Sequence, residues 1–159
     1  MNIRPHRYAA RVRWTGGASG PAVDYPTYSR EYVVEIDGKP PLRGSADAHF
    51  RGDRTIHNPE DLLVAALSAC HLLSYLAVCT RAGIAVVAYD DDASGEMTLI
   101  DGKICFREVM LRPRVAIADA ARIDEATALH ERAHADCFIA NSVNFPVRHE
   151  ATVTSAQPA

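Results

Sequence analysis

Apolar residues run almost without a break from Leu62 to Val78, whereas hydrophobic positions elsewhere come in short, often alternating stretches. Just before the run, Asn58 is a good N-cap, Pro59 suits a first helical position, and Glu60 and Asp61 put negative charge on the positive end of a helix dipole. Gly83 is a natural stop. The pattern predicts a helix of about 24 residues, about 36 Å long at 1.5 Å per residue. It is apolar most of the way round, so it should be covered on several sides, a second subunit being one candidate cover.

Around this helix the pattern predicts strands at residues 5–14, 28–36 and, more weakly, 41–50, with Asp37-Gly38 as a hairpin turn. The Gly/Pro-rich piece from Thr15 to Pro26 is a loop inside the domain. After the helix, residues 85–99 and 103–115 form a second hairpin about Asp101-Gly102, with Pro113 near its end. Residues 119–134 form an amphipathic helix that turns Ile123, Leu129 and Ala133 inward. A short turn then holds Cys137, and residues 145–154 are a last strand. The order predicts an α+β fold, an antiparallel sheet with a long central helix, in one domain over 1–159.

Composition narrows the class. Of the 159 residues, 48% are hydrophobic and 23% charged, which is a globular rather than a disordered profile. The net charge of −3 argues against nucleic acid as a partner. No stretch is read as reaching the 18 apolar residues of a membrane span, so no membrane partner is expected. Met1 to Tyr8 carries Arg4, His6 and Arg7 with no apolar run behind them, so no secretory signal is read. The expected compartment is a reducing cytoplasm, with free thiols.

That makes the four cysteines the candidate chemistry. Cys70 and Cys79, nine residues apart on one helix, lie about 180° and roughly 13.5 Å from each other and cannot pair. Cys79 and Cys105 read as small core hydrophobes. Asp136 is placed to cap a short turn that would put the Cys137 thiol at a helix N-terminus, where thiolates are favoured.

The run Asn58-Pro59-Glu60-Asp61-Leu62-Leu63, then Ala69-Cys70, then Ala133-His134 ahead of Cys137, resembles the OsmC/Ohr family of osmotically induced and organic hydroperoxide resistance proteins. The resemblance spans about Arg11 to Val153. It implies an intertwined homodimer with active sites at the subunit interface. It also implies a thiol-dependent peroxidase that reduces organic hydroperoxides and needs no cofactor beyond an external dithiol donor. Cys70 would be the attacking thiol and Cys137 the resolving thiol. An arginine, held by Glu60 in an ion pair, would lower the thiol pKa. Ten residues put Glu60 about 15 Å from Cys70 along a straight helix, so Glu60 is expected to serve the partner subunit's Cys70.

The family's arginine is usually in the N-terminal glycine-bearing loop, but here Trp14-Thr15-Gly16-Gly17 is followed by Ala18. Arg30 is the nearest replacement, with Arg13, Arg51 and Arg54 behind it. Phe138 stands where many relatives carry proline. His71, beside Cys70, points about 100° away and reads as an interface histidine. Two other function classes stay open. His130-Glu131-Arg132-Ala133-His134 is literally H-E-x-x-H, the spacing of a zinc hydrolase. The same dimer fold could instead bind an apolar ligand without catalysis.

Overall fold

The computed structural model describes residues 4–156, which form two compact units, the first ending at Leu62 and the second beginning at Leu63. The sequence leads one to expect a frayed tail from Ser155 to Ala159; Ser155 instead ends a strand, and residues 157–159 lie outside the described residues.

The first unit is an antiparallel sheet of β1 (Arg11–Trp14), β2 (Tyr32–Glu35) and β3 (Leu42–Gly44). The long loop between β1 and β2 is pinned by Trp14, whose Nε1 donates to the Ser29 carbonyl at 2.7 Å. A Cβ at Gly16 would fall 2.4 Å from that nitrogen, so glycine is required there. These strands are shorter than the pattern predicts. Residues 5–10 form no strand, and after Gly44 the chain turns into a 3₁₀ turn at Ala48–Phe50. The cause is local: Asp47 accepts the His49 N–H, and Ser45 donates its N–H to His57 instead of a ladder.

Helix α1 (Pro59–Arg81) opens as expected, with the Asn58 side chain accepting the Asp61 N–H at 2.7 Å. The second unit continues with β4 (Val86–Asp91), β5 (Ser94–Ile100), β6 (Lys103–Leu111) and β7 (Pro113–Ile117). Helix α2 (Ile123–Ala135), β8 (Val147–His149) and β9 (Thr152–Ser155) follow. Two sheets form, ordered β4-β7-β9 and β5-β6-β8.

Three expectations need correction here. The single strands at 85–99, 103–115 and 145–154 each divide in two. Asp91 explains the break in the hairpin: its carboxylate accepts the Arg112 N–H and the Ser68 hydroxyl, both at 2.6 Å, just where β4 ends. Pro113 then opens β7, a position that tolerates a missing N–H. The sheets are also not wholly antiparallel, because β8 joins β6 and β9 joins β7 in parallel. The chain comes back through α2 before adding these strands, and such a crossover permits parallel pairing. Helix α2, finally, starts at Ile123 after a 3₁₀ turn capped by Asp119.

The core of the second unit gathers Tyr75 and Val78 of α1, Val115 and Ile117 of β7, Ala126 and Ala133 of α2, and Val153 of β9. A second cluster sets Leu67 against Val109 and Leu111 of β6. Contrary to the membrane expectation, α1 is long and apolar enough by length and composition to cross a membrane, with a mean hydropathy of 2.1. Only 28% of that window is buried, and Ala65, Ala66, Ala69 and Leu73 make an exposed apolar strip.

The core also holds imidazoles. His71 Nε2 and His130 Nδ1 are 3.0 Å apart, one donating and the other accepting, in rings 0% and 1% exposed. Tyr75 stacks on His130 at 3.8 Å and donates to the Ala126 carbonyl at 3.0 Å. Burial, reinforced by neighbouring histidines, pushes His71 down to about 4 and His130 down to about 3.

Two stability predictions follow from this fold. Asn58→Ala should cost about 1 kcal/mol and lower Tm by about 2–4 °C by calorimetry, through loss of the cap; an unchanged Tm would count against the cap. Below an unfolded pKa near 6.5, unfolded imidazoles bind protons that folded His71 and His130 refuse. Stability should therefore fall as pH drops from about 6.5 toward 4, by up to about 1.4 kcal/mol per pH unit for each ring. Urea midpoints should shift accordingly, and a midpoint flat over that range would refute the buried neutral pair.

Candidate active site

Two of the four cysteines meet. Cys70 faces out of α1 half-exposed, while Cys137 is 1% exposed just beyond the end of α2. Both are free thiols, and Cys70 lies close enough to bear on the Cys137 thiol. The Ile139 N–H reaches Cys70 Sγ at 3.5 Å. Burial pushes the Cys137 thiol up to about 11, and the Cys70 contact adds to this, against the opposing pull of the Ala140 and Ile139 N–H groups.

The turn that delivers Cys137 differs from the expected one. Asp136 caps nothing ahead of it. It ends α2, giving its N–H to the Arg132 carbonyl while its carboxylate accepts from Arg132 Nε at 2.9 Å. Arg132, four residues back on the same helix face, holds the carboxylate away from the next turn. Cys137 starts that turn itself: its carbonyl accepts the Asn141 N–H at 3.0 Å, and the Ala140 and Ile139 N–H groups lie close enough to favour its thiolate.

The other two cysteines lie apart from this pair. Cys79 is fully buried in the core, as expected, with its thiol pushed up by burial. Cys105, expected in the core, is exposed; it lies in the part of β6 where residues 103–105 are open on both faces.

The predicted activating groups belong to the first unit and have their neighbours there. Glu60 is half-buried, and its Oε2 is buried without a partner among the described residues. Its charge, after burial, helps raise the Tyr32 hydroxyl. Arg30 donates to the carbonyls of Tyr28 and Tyr25, and its guanidinium lies 3.9 Å and 4.9 Å from the centres of the Tyr28 and Tyr25 rings. No ion pair joins Arg30 to Glu60 among the described residues. Arg13 is committed to Glu35 at 3.1 Å, and Arg51 and Arg54 are exposed.

The H-E-x-x-H reading fails on geometry. His130 points into the core and bonds to His71, whereas Glu131 is 82% exposed and lies 3.6 Å from His149. The ring nitrogen that His130 would offer is thus turned toward His71 rather than toward an open site. Among the described residues no three ligating side chains are arranged to hold a metal.

Several residues at the site escape a reading of the chain. Asp91 and Ser68 brace α1 two residues before Cys70. Tyr89 has a buried hydroxyl without a partner among the described residues, and burial, then Asp91, pushes it up. His149 stacks 5.4 Å from His71. The run Asp90-Asp91-Asp92 hinted at one structural carboxylate; nothing local marks the others.

Comparison with known proteins agrees with the fold. Residues 52–152 match the model of the family described as OsmC-like protein. A solved structure of an OsmC-like protein of unknown function from Vibrio cholerae O1 biovar eltor is 32% identical, with a TM-score of 0.85, covering 93% of this chain and 100% of that one. An organic hydroperoxide resistance protein OsmC from Legionella pneumophila is 20% identical with a TM-score of 0.70, covering 96% and 99%. Among curated proteins, the uncharacterized protein YmaD of Bacillus subtilis is 23% identical over 101 residues, 60% of this chain and 67% of that one. The second unit's helix-and-sheet core, its paired thiols and these matches together place the chain in the OsmC-like family.

Proposed function

We propose that this protein is a thiol-dependent peroxidase acting on organic hydroperoxides. The contact between a half-exposed Cys70 and a buried Cys137 carries the reading. Cys70, as thiolate, attacks the terminal peroxide oxygen; the O–O bond breaks, an alcohol leaves after taking a proton, and Cys70 becomes a sulfenic acid. The Cys137 thiol then attacks that sulfur, water leaves, and a disulfide forms. A dithiol donor reduces the disulfide by exchange and is itself oxidised.

The unequal environments suit the two roles. Burial keeps Cys137 protonated near neutral pH, so it does not compete for peroxide. Cys70 is open enough for a substrate to reach. The unpartnered Oε2 of Glu60 calls for a cation, and a buried carboxylate oxygen left alone is costly. In this reading Glu60 anchors an activating guanidinium, with Arg30 as first candidate once it leaves its two carbonyls. The reading also makes the working unit a homodimer. The strip Ala65, Ala69 and Leu73, with Leu73 65% exposed, is the surface a second copy would cover, and Glu60 would serve that copy's thiol.

Stoichiometric cumene hydroperoxide should convert Cys70 and Cys137 to a disulfide, read by peptide mapping. Cys70→Ser should abolish peroxide consumption, and Cys137→Ser should leave a dimedone-reactive sulfenic acid on Cys70. Failure of the wild type to consume any organic peroxide with any dithiol sinks the enzymatic reading in favour of ligand binding. By analytical ultracentrifugation the wild type should sediment as a dimer and Leu73→Asp as a monomer; a monomeric wild type overturns the dimer.

A further inference from the structure

The buried histidine pair and the thiol pair share the same two stretches of chain. Cys70 and His71 are consecutive on α1. His130 and His134 sit on the last two turns of α2, which ends two residues before Cys137. Any shift of α1 against α2 therefore moves one thiol relative to the other. Two buried polar contacts join the helices: the bond from Tyr75 to the Ala126 carbonyl, and the bond between His71 and His130. Only the second lies next to a reactive cysteine.

That bond stands without support. His71 Nδ1, His130 Nε2 and His134 Nδ1 are buried without partners among the described residues. The titratable groups facing the pair are Tyr75 from α1, His134 from α2 and His149 from β8. Glu131, 3.6 Å from His149, is held at the surface. Two imidazoles that keep only one bond between them, at the cost of two unsatisfied nitrogens, are poor material for a core that needs only stability. Apolar side chains of similar size would serve that purpose better.

We propose that His71 and His130 are positioning residues for the thiols: their hydrogen bond sets the approach of Cys70 to Cys137 and thereby the ease of closing a disulfide. A disulfide tolerates little error, because sulfur–sulfur distance and dihedral are both narrowly set. The inference rests on reading the two thiols as a redox pair, but it does not depend on which oxidant they meet.

Glutathione gives the test. One glutathione disulfide oxidises the pair, forming the Cys70–Cys137 bond and releasing two reduced glutathiones by way of a mixed disulfide. The equilibrium constant for that exchange measures how well the thiols are placed. His71 bonds through Nε2, so His71→Gln keeps a polar atom near the right position and His71→Asn misplaces it. His130 bonds through Nδ1, so His130→Asn is its conservative change and His130→Leu removes the bond.

We expect His71→Gln and His130→Asn to stay within about threefold of wild type. His71→Asn and His130→Leu should weaken disulfide formation about tenfold or more, equivalent to about 30 mV. A merely space-filling role would not separate Gln from Asn at position 71. The proposal is overturned if His130→Leu, folded by near-ultraviolet circular dichroism, keeps the wild-type constant. It is equally overturned if His71→Gln falls as far as His71→Asn, the comparison that decides should His130→Leu fail to fold. Peroxide consumption measured in parallel keeps the two readings apart. Unchanged constants with live turnover reject only the positioning role; the expected shifts without turnover reject only the peroxidase.

Discussion

One stripe of helix α1, formed by Leu67, His71, Tyr75 and Val78 at three- and four-residue spacing, has to be covered, and the second unit is arranged around covering it. The sheet β4-β7-β9 and helix α2 close over Tyr75 and Val78, while β6 closes over Leu67. Cys70 sits at the border of that stripe, which is why it is half-exposed while His71, one step round, is fully buried. The place of the thiol between core and solvent is thus a consequence of helix periodicity acting on a one-sided core. The opposite face of α1, small and apolar, is left as a surface.

Polar groups tune this arrangement. Asp91 binds the Ser68 hydroxyl and the Arg112 N–H at once, joining α1 to the place where two strands change sheets. Cys137 is held in a turn that brings backbone N–H groups near both sulfurs, yet its own burial dominates and keeps it protonated. The neighbouring histidines are kept neutral by the same lack of water. A low-dielectric environment therefore surrounds Cys137 and leaves Cys70 accessible.

Local signals were legible wherever local chemistry decides. The Asn58 cap, the length of α1, and the Asp101-Gly102 turn, with both residues at positive φ, follow from side chains acting within a few residues. The pairing of motif cysteines was also legible, because Cys70 and Cys137 sit in a recognisable context. Strand ends were not, since Asp91 and Pro113 cut strands through partners far along the chain. Cys105 misled because an apolar-looking strand need not have a covered face. Asp136 misled because a carboxylate four residues after an arginine has a closer claim than the turn ahead.

By itself the sequence determined the α+β class and the capped apolar helix, since both follow from patterns along single elements, and its resemblance to a known family singled out two cysteines. Only the tertiary structure decided that β8 and β9 pair in parallel, that Cys70 and Cys137 lie close together, that Arg30 stays with its own loop, and that four histidines converge. Apart from the Arg30 contacts, those facts depend on segments far apart along the chain being folded together. Burial and register, set by the whole core at once, choose those neighbours, and no local pattern encodes them.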